Sequence, residues 1–208
     1  LNSLAQTFEL TLSPCKWTQV KDEDWSLSWK KSWNPDPVGK LILILPAWLD
    51  VPEKFLTRKI IRLDPGSAFG TGSHPSTRLC IEALDNDPPL GQTIADLGCG
   101  SGILSITALK LGAKSTFSVD TDSLAISATK INSALNEFPE NHLNVFPGSI
   151  EEIEANMPIE KIDLLLCNIL APVIKSLGPS FENIIGHKGK VILSGLLVQQ
   201  IKELREFF

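Results

Sequence analysis

The chain has 208 residues, a hydrophobic content of 43% and a formal net charge of −5. This length suits one α/β domain with a smaller additional piece. The acidic balance argues against direct binding to nucleic acid, because phosphate binding needs a basic face, and no apolar run approaches the roughly 20 residues of a membrane helix.

The first half of the sequence looks irregular, because proline- and glycine-containing stretches such as "NPDPVGK" and "LDVPEK" interrupt it. Trp25, Trp29 and Trp33 are four residues apart and would form one stripe on a helix. Packing against the rest of this chain or against a missing neighbour is the favoured role of this stripe, and a partner-recognition face is the alternative. A helix is predicted over Pro75–Leu84, whose first residue suits a first turn.

From about residue 91, short apolar strands alternate with longer helical stretches, which is typical of βαβ units in a parallel sheet. The loops at the strand ends should then carry the functional site. The predicted strands are Thr93–Leu97, Thr116–Val119, Leu143–Phe146, Ile162–Cys167 and Lys190–Ser194, and the predicted helices are Ser101–Leu111, Ser123–Leu135, Pro172–Phe181 and Val198–Phe207.

A glycine-rich loop, "FGTGSHPST" at residues 69–77, comes just before the sheet region. Gly70 and Gly72 allow positive φ angles or close backbone approach, and Thr77 offers a hydroxyl. No G-K-[ST] follows, which excludes a phosphate-binding Walker loop. His74 is a candidate general base, but a role in bracing the loop is the favoured interpretation.

A second glycine loop, "IADLGCGSGI", follows the first predicted strand of the sheet. Gly98, Gly100 and Gly102 are spaced more tightly than in the dinucleotide fingerprint, and Asp96 precedes them. A carboxylate is unfavourable beside a pyrophosphate, whereas it suits the ammonium and sulfonium of S-adenosylmethionine. The pattern therefore favours S-adenosylmethionine over a dinucleotide, with a tight turn that binds no ligand as the alternative.

Two further polar residues end predicted strands. Asp120 follows the glycine loop by about 20 residues, where a carboxylate accepts hydrogen bonds from two ribose hydroxyls. Both NAD and S-adenosylmethionine carry that ribose, so Asp120 alone does not discriminate between them. Asn168 ends the fourth strand, and its amide oxygen can orient an incoming amine. Ile169–Leu170 stands where adenine methyltransferases carry a stacking aromatic, which argues against a flipped base.

Four scattered cysteines without a C-x-x-C pair, and only three histidines, predict no metal site. Cysteines this sparse indicate free thiols in a reducing compartment, so we expect a cytoplasmic location. The cysteines are Cys15, Cys80, Cys99 and Cys167.

The segments "FGTGSHPST", "DLGCGSGILSITALKLGA", "VDTDSLAISATKIN", "CNILA" and "LSGLL" occur in this order. Together they closely resemble the ribosomal protein L11 methyltransferase family (PrmA), over roughly residues 22–200. The resemblance implies an α/β fold of the Rossmann-like class I methyltransferase type, with a doubly wound, mostly parallel sheet and a small partial N-terminal segment. It also implies residues 1–50 as a remnant recognition domain and linker, and 51–208 as the catalytic domain.

The resemblance further implies methylation of lysine side chains and the N-terminal amine of a basic ribosomal protein. Carried over by motif, the S-adenosylmethionine contacts would include Thr77, Gly98, Asp120 and Asn168, with Phe69 and Gly70 near the cofactor; Asp96 and Gly100 join them from the loop argument above. Ser73 and Leu196 depart mildly from the family pattern. The only methionine is Met157 and "IKELREFF" ends without a cap, so both ends look cut. Against the family pattern, we expect the N-terminal recognition domain to be mostly missing and the last two strands to be absent.

For the mechanism we expect no dedicated proton-abstracting residue. A lysine attacks only when neutral, and burial beside a cation lowers its pKa. Asn168 would then orient the amine while the site excludes water. The alternatives are a methyltransferase of a small molecule or RNA, and a non-catalytic cofactor-binding module; a monomer is the expected state.

Overall fold

The computed structural model describes residue 18 and residues 33–64, 70, 72–139, 141–158 and 161–208. The chain forms two compact units, Leu1–Asn34 and Pro35–Phe208. Trp25, Trp29 and Cys15 lie outside the described residues, and so does most of the first unit. The second unit begins earlier than residue 51, because strands before that residue belong to it; the functional division after residue 50 stays a prediction.

A three-stranded sheet opens the second unit, so the prediction of an irregular first half is wrong here. It consists of β1 (Asp36–Val38), β2 (Ile42–Pro46) and β3 (Lys59–Leu63), with β1 antiparallel and β3 parallel to β2. Every residue of β2 is buried. A continuous apolar run this short cannot be assigned to strand or helix from its periodicity, which explains the error.

The second sheet has five parallel strands, β4 (Thr93–Leu97), β5 (Ser115–Asp120), β6 (Leu143–Pro147), β7 (Ile162–Asn168) and β8 (Ile185–Ser194). Their spatial order is β6–β5–β4–β7–β8. This order confirms the predicted doubly wound α/β fold, with the topological switch between β4 and β7. The helices are α1 (Pro75–Asn86) before β4, α2 (Ile103–Lys110), α3 (Ser123–Leu135) and α4 (Ile150–Asn156) between the strands, α5 (Ala171–Leu177) and α6 (Phe181–Ile184) between β7 and β8, and α7 (Ile201–Phe207) after β8.

The observed boundaries differ from the predicted ones mainly after β7. The helix predicted over Pro172–Phe181 is broken by a 3-10 turn at Gly178–Ser180, because Gly178 and Pro179 interrupt the helical pattern. A second 3-10 turn, Val198–Gln200, precedes α7. β8 begins at Ile185 rather than Lys190, through polar, glycine-containing residues and a register irregularity against β7.

Two apolar clusters cover the opposite faces of the five-stranded sheet. Ile94 and Leu164 point into one cluster, which also contains residues of β2, β3, α1 and α2. Ala95 and Leu165 point into the other, with residues of α4 and α5. Neighbouring residues of a strand thus serve both faces, as expected for a parallel sheet covered by helices. Within the described ranges, no helix is long and apolar enough to cross a membrane.

Helix α1 is held against the three-stranded sheet by polar contacts near both of its ends. The buried Asp85 carboxylate accepts hydrogen bonds from Lys40 N at 2.6 Å and Leu41 N at 3.2 Å. At the other end, Arg78 forms an ion pair with Asp36 and donates to Pro37 O. These contacts determine where the first turn of α1 lies relative to the strand ends.

Candidate active site

The strand register brings the predicted site residues to one edge of the sheet. Leu97 of β4 pairs with Val119 of β5 on one side and with Cys167 of β7 on the other. The residues that directly follow these three are Gly98, Asp120 and Asn168. Asp120 and Asn168 therefore lie on either side of Gly98, the first residue of the glycine loop. This is the crevice at the switch point, where ligands of doubly wound sheets bind.

The glycine loop, residues 98–102, requires glycine for two separate reasons. Gly98 and Gly102 have φ angles of 76° and 78°, in the left-handed region. In addition, a Cβ on Gly98 would lie 2.4 Å from Ile169 Cγ2, and one on Gly102 would lie 2.7 Å from Thr129 Cγ2. Part of the glycine pattern therefore reflects close packing of this loop against its neighbours, independently of any ligand.

Asp120 ties the glycine loop to the end of β5. Its Oδ2 accepts a hydrogen bond from Gly100 N at 2.9 Å, and its Oδ1 accepts one from Asp122 N at 2.9 Å. A carboxylate has about four acceptor positions, so these backbone contacts leave capacity for hydroxyl donors. The same carboxylate can therefore orient the loop and bind a ribose.

Asp96 lies beneath the loop, one residue before the end of β4, and is only 1% exposed. Its Oδ2 accepts from Ser105 N at 3.1 Å and from Ser105 Oγ at 2.6 Å, in the first turn of α2. Burial raises the pKa of this carboxyl to about 6; the Ser105 hydrogen bonds lower it in part, and the charge of Asp120 raises it further. A buried carboxylate with neutral donors favours a cation nearby.

This buried acid leads to a prediction for the cofactor-free protein. A pKa raised from 3.8 to about 6 means that the folded state binds more protons than the unfolded state between these values, so stability falls as pH rises through this window. Asp96→Asn keeps an oxygen for Ser105 and removes the charge. Urea unfolding above pH 6 should show the variant more stable, by up to about 3 kcal/mol. If the pH dependence of unfolding is the same in the variant as in the wild type, the raised pKa does not belong to Asp96.

The two glycine-rich loops are in contact at Gly70. Ser101 Oγ donates a hydrogen bond to Gly70 O, and a Cβ on Gly70 would lie 3.1 Å from the same Ser101 oxygen. Gly72 is also tightly enclosed, since its Cβ would lie 2.6 Å from Ile44 Cδ1. Phe69, predicted near the cofactor, lies outside the described residues.

Thr77 and Asn168, which are far apart in the sequence, form a direct contact. Asn168 Nδ2 donates to Thr77 Oγ1 at 3.2 Å, and Thr77 is 1% exposed in the first turn of α1. The amide nitrogen is therefore engaged, which directs Oδ1 away from Thr77. A Cβ on Gly195 would lie 3.2 Å from that oxygen, so the turn after β8 leaves it space. An amide oxygen of this kind can accept a hydrogen bond from an N–H donor.

His74 is the N-cap residue of α1. Its Nδ1 accepts from Ser76 N at 3.3 Å and lies 2.7 Å from Ser76 Oγ. This geometry supports the interpretation of His74 as a loop brace, because the ring nitrogen satisfies an amide at the helix start.

His74→Ala should accordingly affect stability rather than chemistry. Loss of an N-cap costs about 1 kcal/mol, which corresponds to a fall in Tm of about 2–4 °C for a chain of this size. We expect kcat for methyl transfer to stay within about threefold of wild type, since a general base contributes at least about 100-fold. A variant that binds the methyl donor normally but has no turnover would show that His74 is a base.

Several residues around the site were not predicted from the sequence. Ser105 supports Asp96, Ser194 Oγ donates to Ser76 O at 3.0 Å, and Thr129 Oγ1 donates to Gly100 O at 2.9 Å. Thr129, Asn132 and Asn136 are polar residues spaced three and four apart in "TKINSALN". That spacing on one face of a helix is the signal that could have identified them.

Cys99 lies within the glycine loop but does not have the environment of a nucleophile. Burial raises the pKa of its thiol above the usual range, and its Sγ lies 3.4 Å from Thr129 Oγ1. Burial also raises the pKa of the Cys167 thiol to about 12. Both thiols are therefore protonated packing groups near neutral pH.

Comparison with known proteins gives one consistent result. The family described as "Ribosomal protein L11 methyltransferase (PrmA)" matches residues 2–208. A "Ribosomal protein L11 methyltransferase" of Prochlorococcus marinus (strain MIT 9313) is 54% identical over 205 residues, which are 99% of this chain and 68% of that protein. One of Parasynechococcus marenigrum (strain WH8102) is 55% identical over 206 residues, 99% of this chain and 71% of that protein.

Among solved structures, a ribosomal protein L11 methylase from Lactobacillus delbrueckii subsp. bulgaricus is similar at 33% sequence identity and a TM-score of 0.74. The similarity covers 84% of this chain and 86% of that one. The sequence and fold comparisons therefore agree, and the chain belongs to the ribosomal protein L11 methyltransferase family.

Proposed function

We propose that this protein transfers methyl groups from S-adenosylmethionine to amino groups of ribosomal protein L11, namely lysine side chains and the N-terminal amine. The observation that carries the proposal is the strand register at the switch point, where Asp120 and Asn168 flank Gly98 in a chain that matches the family over residues 2–208. An acid for a ribose and an amide for an amine thus adjoin the same loop.

The buried Asp96 carboxylate, two residues before the glycine loop, indicates whether a cationic or an anionic ligand fits this site. Asp96 is fully buried and its hydrogen-bond donors are neutral groups of Ser105, so its negative charge costs stability in the absence of a cation. A ligand with an ammonium and a sulfonium offsets that cost, whereas a pyrophosphate adds to it. The residues present therefore fit S-adenosylmethionine better than a dinucleotide.

Each predicted residue has a role in this proposal. Asp120 accepts hydrogen bonds from the ribose hydroxyls, Asp96 attracts the ammonium directly or through water, and the left-handed glycines let the backbone approach the methionine part of the ligand. The proposed contact residues are Phe69, Gly70, Thr77, Asp96, Gly98, Gly100, Asp120 and Asn168.

The chain's own residues position the amine. Bound S-adenosylmethionine supplies an electrophilic methyl group on a sulfonium. Thr77 accepts from the Asn168 amide nitrogen and thereby orients Oδ1, which accepts an N–H of the neutral amine and directs its lone pair. A neutral amine needs no base for the attack itself, and burial beside a cation keeps the lysine neutral. Asn168 is thus the proposed catalytic residue.

The substrate is a protein in this proposal, not a nucleic acid. The net charge of −5 suits a basic ribosomal protein as partner and is unfavourable for RNA. Free ribosomal proteins are made in the cytoplasm, so we propose that location for the enzyme, acting as a monomer.

Isothermal titration calorimetry tests the ligand assignment. The protein should bind S-adenosylmethionine with one site per chain, and NAD in a parallel titration should produce no binding heat. Absence of binding to S-adenosylmethionine, or preference for NAD, would overturn the proposed function.

A further inference from the structure

Helix α3 and its C-cap residue carry a buried polar stripe, formed by Thr129 and Asn132 of the helix and by Asn136 at the C-cap. These residues are 0%, 0% and 4% exposed. Their spacing of three and four residues puts them on one face of the helix. Buried polar side chains are costly unless they are hydrogen-bonded, so the partners of each one indicate what the stripe supports.

Asn132 joins two segments that are distant in the sequence. Its Oδ1 accepts a hydrogen bond from Asp64 N at 2.8 Å, directly after β3. Its Nδ2 donates to Ser101 O at 2.8 Å, within the glycine loop. The donor and the acceptor of one buried amide are therefore each used on a different segment, so neither segment can shift without breaking a bond.

Ser101 extends this connection to the other glycine-rich loop. Its carbonyl accepts from Asn132, and its hydroxyl donates to Gly70 O. Thr129 reinforces the same loop by donating to Gly100 O at 2.9 Å. A continuous set of hydrogen bonds thus runs from Asp64 through Asn132 and Ser101 to Gly70, with a buried side chain at its centre.

Asn136 lies on the same stripe but has different partners. Its Oδ1 accepts from Arg62 N at 3.0 Å, and its Nδ2 donates to Arg62 O and to Asn132 O, each at 2.7 Å. It therefore binds the backbone of β3 and its own helix. Asn136 is a matched reference for Asn132, because it is the same residue type and is also buried, four residues further along at the C-cap of α3.

We infer that Asn132 is a positioning residue, which holds the Gly100–Ser101 backbone and Gly70 in one relative arrangement for binding of the methyl donor. The inference rests on the proposed function and adds a determinant that does not itself touch the ligand. Misplacement of a supporting backbone by about 1 Å can reduce activity 100-fold. The amide of Asn132 opposes that displacement by bonding Asp64 N and Ser101 O at once, and Ser101 Oγ continues the connection to Gly70 O.

The test compares Asn132→Asp with Asn136→Asp in the full chain. Each substitution keeps the size and the acceptor and removes the amide donor. Asn136→Asp loses two donated hydrogen bonds and Asn132→Asp loses one, so the first should lower Tm at least as much. Only Asn132→Asp should raise the Kd for S-adenosylmethionine, by about tenfold or more.

The outcomes separate a positioning role from a structural one. Equal changes in Kd for the two variants, or an unchanged Kd for Asn132→Asp, would overturn the inference. The proposed function would stay intact in that case, provided that the wild-type protein binds S-adenosylmethionine. A wild-type protein that does not bind S-adenosylmethionine would overturn both.

A second variant keeps the inference testable if Asn132→Asp does not fold. Ser101→Ala removes the hydroxyl that donates to Gly70 O and retains the carbonyl that accepts from Asn132. It should raise the Kd for S-adenosylmethionine severalfold with a small change in Tm. Wild-type affinity in this variant would show that the connection to Gly70 does not support ligand binding.

Discussion

Asn168→Ala should lower kcat for methyl transfer by about 100-fold or more, the effect of removing one oriented polar group from a reacting centre. Asn168 Oδ1 is the proposed acceptor for the attacking amine, and the hydrogen bond from Nδ2 to Thr77 Oγ1 determines which way that oxygen points. The Kd for S-adenosylmethionine should rise much less than kcat falls. The two quantities are measured by steady-state kinetics with labelled methyl donor and by calorimetry.

Asn156 provides the matched control for this prediction. It is an exposed asparagine at the end of α4, and its Nδ2 donates to Glu152 O, one turn earlier in the same helix, at 2.8 Å. Asn156→Ala should leave kcat and Kd at their wild-type values. Wild-type turnover in Asn168→Ala would show that the amide does not orient the amine.

Asp120→Ala should weaken S-adenosylmethionine binding by about 100-fold or more. Hydrogen bonds to a charged group contribute about 1.5–3 kcal/mol each, and two ribose hydroxyls would lose their acceptor. The substitution also removes the partner of Gly100 N, so the glycine loop loses a contact that orients it. Calorimetry measures the change in Kd directly.

Asp122 separates this specific effect from the loss of one negative charge. It caps α3 by accepting from Leu124 N at 2.8 Å and is exposed. Asp122→Ala should cost about 1 kcal/mol of stability and leave the Kd for S-adenosylmethionine unchanged. Equal weakening by the two substitutions would mean that Asp120 contributes only through its charge.

The site residues at strand ends were predictable because parallel strands align their carboxyl ends at one edge. Asp120 and Asn168 each follow an apolar run, and pairing in register then brings them to either side of Gly98. The contact between Thr77 and Asn168 was not predictable in the same way. It depends on the position of α1, which Asp85 and Arg78 attach to the three-stranded sheet.

The glycine loop shows where interpretation of a sequence motif is incomplete. The sequence pattern predicts that Gly98 and Gly102 allow a ligand to approach the backbone. The structure shows in addition that Ile169 and Thr129 occupy the space that a side chain at these positions would need. Asn132 was missed for a related reason. The spacing of Thr129, Asn132 and Asn136 indicates a shared polar face, but the backbone segments that Asn132 bonds cannot be identified from that spacing.

Asp96 has opposite effects on the stability of the cofactor-free protein and on the proposed ligand binding. Its burial destabilises the cofactor-free protein above pH 6, yet the same charge is what the proposed cationic ligand requires. Sites of this kind are expected to reduce stability in exchange for activity. Removal of the charge should therefore stabilise the fold and weaken ligand binding together.

The most direct test of the proposed activity is transfer of a radiolabelled methyl group to a mixture of ribosomal proteins and ribosomal RNA. The protein should label ribosomal protein L11, at lysine side chains and the N-terminal amine, and Asn168→Ala should abolish most of that label. Label on the RNA, or no label on L11 with a protein that binds S-adenosylmethionine, would contradict the proposed function.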